Sequence, residues 1–299
     1  MAIAKRIFLF LILNILILVT ASIVATIVMR ALGIEGELGF YLIFYSIFGF
    51  GGAFISLSLS RVFAKKFMGV RVLDPRTSHP EERELVDMVY RLATQARLPQ
   101  KPEVGIYERD ELNAFATGPS KSRSLVAVSR GLLNRMSKEE LEGVLGHELA
   151  HIANGDMVTM TLLQGLINTM VLIAARLAAK LIVSRISRQR SQSFFMEYLI
   201  FIGLQIGFSI LGSIVLCQFS RKREYRADKG GARLAGTQNM ILALKALQRN
   251  MGTSMHPHAN QKEAYNYLQI SNNKKKKNWF STHPPLEDRI ARLERLQGN

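Results

Sequence analysis

Two histidines and a glutamate share one short stretch, "HELAH", at residues 147–151. His147 and His151 are four residues apart, so on a helix they lie on one face and can bind the same metal ion. Zinc is suited to two imidazole nitrogens and a carboxylate, with a fourth position left for water. Zinc lowers the pKa of that water toward about 7, and Glu148 could accept its proton. The stretch therefore predicts a hydrolytic zinc site.

The residues on either side of this stretch predict the helix that carries it. Ser137 and Glu140 form a capping box, so we expect the helix to begin at residue 138. Asn154 and Gly155 can end it. Both histidines then lie inside a capped helix. This favours a metal site over the alternative, a solvent-exposed helix with two incidental histidines.

A third metal ligand must come from elsewhere in the chain. The sequence "REYRAD" places Glu224 and Asp228 four residues apart on a predicted helix. We expect Glu224 to bind the metal, while Asp228 could accept the free N–H of a ligating histidine. Considered alone, this motif also fits an ordinary surface pair beside several basic residues.

Long apolar segments surround these motifs, at residues 7–29, 38–60, 157–175 and 198–220. About 20 helical residues cross a bilayer core, so the chain is predicted to be an integral membrane protein. The first segment is too long for the apolar core of a cleaved signal peptide, and we expect it to be retained. A single cysteine, Cys217, excludes a disulfide framework within the chain and a cysteine-based metal site.

The chain is strongly basic, with a formal net charge of +16. Of its 39 lysines and arginines, 31 lie in the two polar regions, residues 61–156 and 221–299. Cytoplasmic flanks of membrane helices collect positive charge, and no nucleic-acid-binding motif accompanies it. We expect a multi-pass membrane protein with both polar regions facing the cytoplasm, the lipid bilayer as a partner and no nucleic acid.

The linker between the third and fourth apolar segments conflicts with this topology. If His151 and Glu224 bind one ion, they lie on the same side of the membrane, and the two apolar segments between them cross twice or not at all. Two crossings place residues 176–197 outside, although this linker carries five basic residues against one acid. We prefer a spanning hairpin. A pair of helices that lies against the catalytic domain or dips partway remains the alternative.

The sequence resembles the HtpX-type membrane zinc metalloproteases, which are related to the CAAX prenyl endopeptidases. The resemblance covers nearly the whole chain and rests on "HELAH", "EYRAD", "NAFATG" at 113–118 and "STHPPLEDRI" at 281–290. It implies one Zn²⁺ per chain, held by His147, His151 and Glu224. It also implies a catalytic base at Glu148, an aspartate at Asp228 that supports the ligands, and a location in the bacterial inner membrane.

The other two motifs imply how substrate is held. In this family "NAFATG" corresponds to an edge strand, on which Asn113, Ala114, Phe115 and Ala116 could bind an extended peptide through main-chain hydrogen bonds. The last motif suggests that His283 lies near the cleft and could stabilise the developing oxyanion. Alternatively, His283 only caps or packs the final helix.

These observations predict a mainly α integral membrane protein with a zincin-like α+β catalytic domain, a small β-sheet and about four membrane helices. Strand-like runs lie at 103–107, 113–117 and 124–129. We divide the chain into a two-helix anchor (1–60), a first catalytic part (61–156), an apolar hairpin (157–220) and a second catalytic part (221–299).

The expected function is that of a membrane-bound zinc endopeptidase for quality control of unfolded or misfolded membrane proteins, as in a stress response. No phosphate-binding "GxxxxGK" loop is present, so we expect cleavage without ATP. One alternative is a processing peptidase for prenylated proteins, although four apolar segments are few to enclose a lipidated tail. Another is a non-catalytic zinc-binding scaffold, in which Glu148 would be dispensable. The sequence leaves the oligomeric state open.

Overall fold

The computed structural model describes residues 23–31, 33, 36–186, 190–251 and 279–297. Residues 23–31 are helical. The further helices are α1 (Glu37–Phe67), α2 (Pro80–Gln95), α3 (Arg130–Arg135), α4 (Lys138–Asn154), α5 (Asp156–Ile186), α6 (Arg190–Ala235), α7 (Thr237–Met251) and α8 (Leu286–Gln297). The strands are β1 (Arg71–Val72), β2 (Glu103–Tyr107), β3 (Ala114–Ser120) and β4 (Arg123–Ser129).

Within the described ranges, three helices are long and apolar enough to cross a membrane: Gly39–Phe67, Asp156–Arg185 and Phe195–Ala235. They include the second predicted segment from residue 39 onward and all of the third and fourth, which confirms the prediction of an integral membrane protein. Most of the first predicted segment, 7–29, lies outside the described residues. The described residues form two compact units, one within residues 1–55 and 161–213 and the other within residues 56–160 and 214–299.

In the unit within residues 1–55 and 161–213, two ion pairs bear on the charge of the predicted basic linker, residues 176–197. Helices α5 and α6 leave only residues 187–189 between them, so most of the predicted linker is helical. Arg176 forms an ion pair with Glu197 at 3.0 Å, and Lys180 forms one with Glu37. Two of the five basic residues are therefore paired with acids, which weakens the charge objection to a spanning hairpin.

The second unit contains a four-stranded sheet in the order β1-β2-β4-β3. Strands β2 and β4 are parallel, while β1 and β3 pair antiparallel with their neighbours. Strand β4, "RSLVAVS", is buried except at Arg123, as expected for a central strand with an apolar sequence. Strand β3 is only partly buried and forms one edge of the sheet. The three predicted strands are confirmed, and two-residue β1 is an addition.

Helix α4 has the predicted bounds because its ends are defined by local signals. The Ser137 hydroxyl accepts a hydrogen bond from the Glu140 N–H, and the Glu140 carboxylate accepts one from the Ser137 N–H. At the other end, Gly155 adopts a left-handed conformation with φ of 72°. The buried face of α4 packs through Leu145 and Leu149 into the main hydrophobic core. This packing fixes the helix that carries the two histidines.

Helix α6 continues to Ala235 and approaches α4 closely at two adjacent glycines. A Cβ on Gly231 would lie 2.9 Å from the backbone nitrogen of His147, and a Cβ on Gly230 would lie 2.6 Å from the Cβ of Ala150. Any larger residue would push the helices apart. The glycine pair therefore permits the close approach that brings Glu224 to the histidines.

Candidate metal centre

The side chains of His147, His151 and Glu224 meet at one buried point, although the glutamate lies on a different helix. The Nε2 atoms of the two histidines are 3.1 Å apart. One Glu224 oxygen, Oε2, lies 3.4 Å from His147 Nε2, and the other, Oε1, lies 3.3 Å from His151 Nε2. The described residues contain no other group of three or more histidine, cysteine or acidic side chains that meets this geometry.

These separations fit a small tetrahedral metal ion. Bonds of about 2.0–2.1 Å to nitrogen and oxygen give a tetrahedron whose edges are about 3.3–3.4 Å long. The two imidazole nitrogens are 3.1 Å apart, and each lies 3.3 to 3.4 Å from one oxygen of the Glu224 carboxylate, Oε2 for His147 and Oε1 for His151. The two imidazoles and the carboxylate would provide three ligands, which would leave a fourth position for water or substrate. The donor set of two imidazoles and a carboxylate is also one that suits a catalytic metal site.

A carboxylate orients each histidine from the opposite side of its ring. His147 Nδ1 lies 3.0 Å from an oxygen of Asp228, and His151 Nδ1 lies 2.7 Å from an oxygen of Asp156. Because each Nδ1 is engaged in this way, each Nε2 is directed toward the shared metal position. The motifs predicted a supporting role for Asp228 but none for Asp156. The available signal was its place directly after Gly155, which turns the chain back beside the last turn of α4.

An arginine lies behind each of these carboxylates. Arg289 on α8 donates to both oxygens of Asp228, at 2.6 and 2.8 Å, and its side chain is 7% exposed. Arg226 donates to Asp156 at 3.3 Å, but its side chain is 57% exposed. Neither arginine was predicted to be part of the site. Arg289 lies within the motif "STHPPLEDRI", but the motif led to a prediction for His283 only.

These contacts alter the proton affinity of both histidines. Burial lowers the pKa of His147, but hydrogen bonds with Asp228 and Glu224 outweigh it and raise the pKa to about 9. Burial also lowers the pKa of His151, and hydrogen bonds with Asp156 and Glu224 again produce a net rise. A metal ion must displace a proton from any histidine that is charged, so we expect metal binding to release protons.

The two remaining candidates for chemistry lie beside this cluster. Glu148 follows the first histidine on α4 and is partly buried, and it makes no hydrogen bond or ion pair with any residue that the structure describes. His283 Nδ1 lies 3.0 Å from Glu224 Oε2, while 54% of its side chain is exposed. The structure thus brings His283 to the metal cluster and leaves much of its ring open to solvent.

Strand β3 forms an open sheet edge beside α4. The Asn113 carbonyl accepts a hydrogen bond from the Ser129 N–H at 2.9 Å, so the backbone of Asn113 faces β4. Hydrogen-bonding direction alternates along an antiparallel strand, so Phe115 also faces β4. The outward backbone groups of the predicted set therefore belong to Ala114 and Ala116.

Comparisons with known proteins indicate the family of this chain. The profile of Peptidase family M48 matches residues 79–297. Similar curated proteins include the Protease HtpX homologs of Bacillus licheniformis (50% identical) and Bacillus subtilis strain 168 (48%), and Protease HtpX of Shewanella oneidensis (48%). In each case the alignment covers 97% of this chain and 99% of the relative.

A solved structure supports the fold separately. The crystal structure of S. mikatae Ste24p matches with a TM-score of 0.62 at 17% identity, over 98% of this chain and 65% of that chain. At this identity the likeness shows the fold alone. The sequence matches are long and specific enough to confirm the resemblance inferred from the motifs. The chain belongs to peptidase family M48 and is a membrane metalloprotease.

Proposed function

We propose that the chain is a zinc-dependent endopeptidase that cleaves unfolded or misfolded membrane proteins, without ATP, at the cytoplasmic face of the bacterial inner membrane. The observation that carries the proposal is the spacing of the three donors. Separations of 3.1 to 3.4 Å among two imidazoles and a carboxylate suit zinc, and Glu148 lies next to one of these ligands. His147, His151 and Glu224 would hold the ion.

Zinc, when bound, would supply Lewis-acid activation of water and of the scissile carbonyl. Glu148 would accept the proton of the attacking water and pass it to the departing amine, which balances the hydrolysis. Its carboxylate is suited to this role because no described residue ties it into an ion pair. His283, whose ring is half exposed beside Glu224, would donate a hydrogen bond to the carbonyl oxygen as negative charge develops there.

The open edge of β3 supports an extended and unfolded substrate. Ala114 and Ala116 direct their backbone N–H and C=O groups away from β4, where a peptide could add as a further strand. Main-chain hydrogen bonds hold a peptide without reading most of its side chains. Such a site would accept many unfolded sequences, as quality control requires.

The placement at a membrane surface rests on the course of α6. This one helix carries the uncharged segment 198–220 and, four residues after it, Glu224. A metal ligand so close in sequence to a membrane segment suits a protease whose substrates emerge from the bilayer. The basic residues of 61–156 and 221–299 and the bacterial relatives support a cytoplasmic orientation.

The central experiment is the Glu148→Gln substitution in purified, detergent-solubilised protein with zinc restored. We expect zinc to stay bound while cleavage of casein falls by about 10²–10⁴-fold, the usual contribution of a general base. Glu139→Gln makes the same change at an exposed position of α4 and should leave cleavage intact. Full cleavage by Glu148→Gln would overturn the base assignment. A zinc-loaded wild type that cuts no unfolded substrate would favour the scaffold alternative.

The edge-strand proposal has its own test at Ala116. Proline at this position removes an outward N–H and is tolerated at a strand edge. We expect Ala116→Pro to raise KM for unfolded substrates while zinc content stays unchanged. Ala116→Ser keeps the N–H and serves as the matched control. An unchanged KM in the proline variant would exclude pairing through this group.

A further inference from the structure

Two large aromatic side chains lie exposed just before the motif "STHPPLEDRI", which contains His283. Trp279 is 56% exposed and Phe280 is 54% exposed. Trp279 is also the single tryptophan of the chain. Adjacent exposed aromatic side chains that water would surround are unfavourable, and they often mark an interaction site. More than half of each side chain is therefore available to a further partner.

Hydrogen bonds hold this segment against one short stretch of α6. Arg221 donates to the carbonyl oxygens of Trp279 and Ser281, at 3.4 and 2.6 Å. The thiol of Cys217 donates to the carbonyl oxygen of Phe280 at 3.3 Å. The backbone is therefore fixed beside residues 217–221 of α6, while the two aromatic rings stay exposed.

The sequence of α6 gives the depth of that stretch in a membrane. Residues 198–220 carry no charge, and 23 helical residues span about 34 Å, slightly more than a bilayer core of about 30 Å. Arg221 and Lys222 are the first charges after this segment. Residues 217–221 thus correspond to the boundary between acyl chains and headgroups. Tryptophan is enriched at this boundary, and basic side chains there attract anionic headgroups.

We propose that Trp279 and Phe280 insert into the headgroup–acyl boundary of the bilayer that holds α6, and that this lipid contact anchors the segment carrying His283. The Ser281 hydroxyl donates to the His283 carbonyl at 2.5 Å, and His283 reaches Glu224 at 3.0 Å. The bilayer thereby helps to keep His283 at the metal cluster. Trp279 and Phe280 act as positioning residues and touch no reacting atom.

The lone tryptophan allows the lipid contact to be measured directly. The Glu148→Gln protein, which should not cut itself, is reconstituted into vesicles of phosphatidylcholine and phosphatidylglycerol. We expect blue-shifted emission from Trp279, strong quenching by brominated phospholipids and weak quenching by aqueous iodide. Because the readout needs no activity, its failure is distinguishable from failure of the proposed function.

Two relocated tryptophans calibrate the measurement. Trp279→Phe with Phe54→Trp places the probe within the uncharged segment of α1, and Trp279→Phe with Arg83→Trp places it on the exposed surface of α2. Behaviour of Trp279 like the Arg83→Trp reference would overturn the proposal. A blue shift that increases with protein concentration, without quenching by brominated lipid, would assign the surface to a second copy of the chain. A blue shift that appears only with added unfolded substrate would assign it to substrate, and either result also overturns the proposal.

A double-mutant cycle tests whether the two aromatic residues act through His283. It uses active protein, in which Glu148 is retained. We expect Trp279→Ala with Phe280→Ala to reduce turnover in vesicles by about tenfold, the lower end for lost partners around a metal site, with zinc content unchanged. In a His283→Ala background the same pair should cost little more, because both changes act through one residue. The variant in which the two aromatic residues are exchanged, Trp279→Phe with Phe280→Trp, should keep the turnover that the paired alanine variant loses. Unchanged turnover in the paired alanine variant, or a full additional loss in the His283→Ala background, would contradict the link.

Discussion

The two histidines of the metal cluster are held by two different kinds of support. Behind His147 lies the Asp228 cluster, made of Asp228 and Arg289. Behind His151 lies the Asp156 cluster, made of Asp156 and Arg226. Both carboxylates are buried, but the arginine of the first is 7% exposed and bidentate, while that of the second is 57% exposed and makes one bond of 3.3 Å.

Because of this difference, we expect the two clusters to contribute unequally to folding stability, although both support a metal ligand. Removing one member of a buried ion pair leaves an unpaired charge and costs about 3–5 kcal/mol, whereas an exposed pair contributes about 1 kcal/mol or less. The Asp228 cluster joins α4, α6 and α8 through a buried bidentate pair, whereas the Asp156 cluster joins α6 to the junction of α4 and α5 through a single bond from an exposed arginine. We expect the first cluster to stabilise the catalytic unit and orient its histidine, and the second mainly to orient its histidine.

The largest effect is expected at Glu224, the residue common to both histidines. Glu224→Gln removes the charge that balances the metal and one oxygen ligand, so zinc affinity should fall by more than about 100-fold, beyond the range for supporting residues. Metal analysis after dialysis against a chelator measures this. Glu139→Gln is the control for a lost surface carboxylate. Stoichiometric zinc in dialysed Glu224→Gln protein would remove this residue from the ligand set.

The next largest effect is expected from Arg289→Gln, which leaves the Asp228 carboxylate buried without its bidentate partner. The free energy of unfolding of the catalytic unit should fall by about 3–5 kcal/mol. Zinc affinity should fall as well, since Asp228 then orients His147 less firmly. Denaturant unfolding in detergent, with and without chelator, separates the two effects. A stability loss that vanishes once the metal is removed would mean that Arg289 acts only through the metal.

A smaller effect, confined to metal binding, is expected from Asp156→Asn. The amide keeps the shape of the side chain but no longer accepts the His151 N–H as a charged partner. Zinc affinity should fall by about tenfold. Competition with a chromogenic chelator provides the measurement, and Asp156→Glu tests whether a displaced carboxylate still orients the ring. Identical zinc affinity in Asp156→Asn and wild type would leave Asp156 with a structural role alone.

Local signals explain how much of this arrangement was predictable. The capping box at Ser137 and the left-handed Gly155 define α4 within a few residues of chain, so its bounds followed from the sequence. The three predicted strands likewise followed from short runs of neighbouring residues. Glu224 could be assigned only with the family resemblance, because its own surroundings also fit a surface helix. Its approach to the histidines depends on a tertiary contact at Gly230 and Gly231, which the spacing of the motifs does not reveal.

Asp156 and Arg289 escaped prediction because each has an ordinary explanation in the sequence. Asp156 begins α5, where an acid in the first turn is favoured by the helix dipole, so a second role was not required. Arg289 lies in the charged sequence "LEDRIARLER", which predicts a solvated helix, yet it is buried against Asp228. Burial of a charge depends on the facing element, and no spacing within one helix can show it.

The smallest effect is expected from Arg226→Gln, and it is the sharpest test of the comparison. Its guanidinium is largely exposed and makes a single bond to Asp156, so the free energy of unfolding should change by about 1 kcal/mol or less. Zinc affinity should also stay near that of wild type, because Asp156 keeps its 2.7 Å contact with His151. Arg289→Gln makes the same chemical change behind the other histidine and supplies the matched measurement. Equal losses in both variants would show that exposure does not distinguish the two clusters, and that Asp156 depends on its arginine as strongly as Asp228 does.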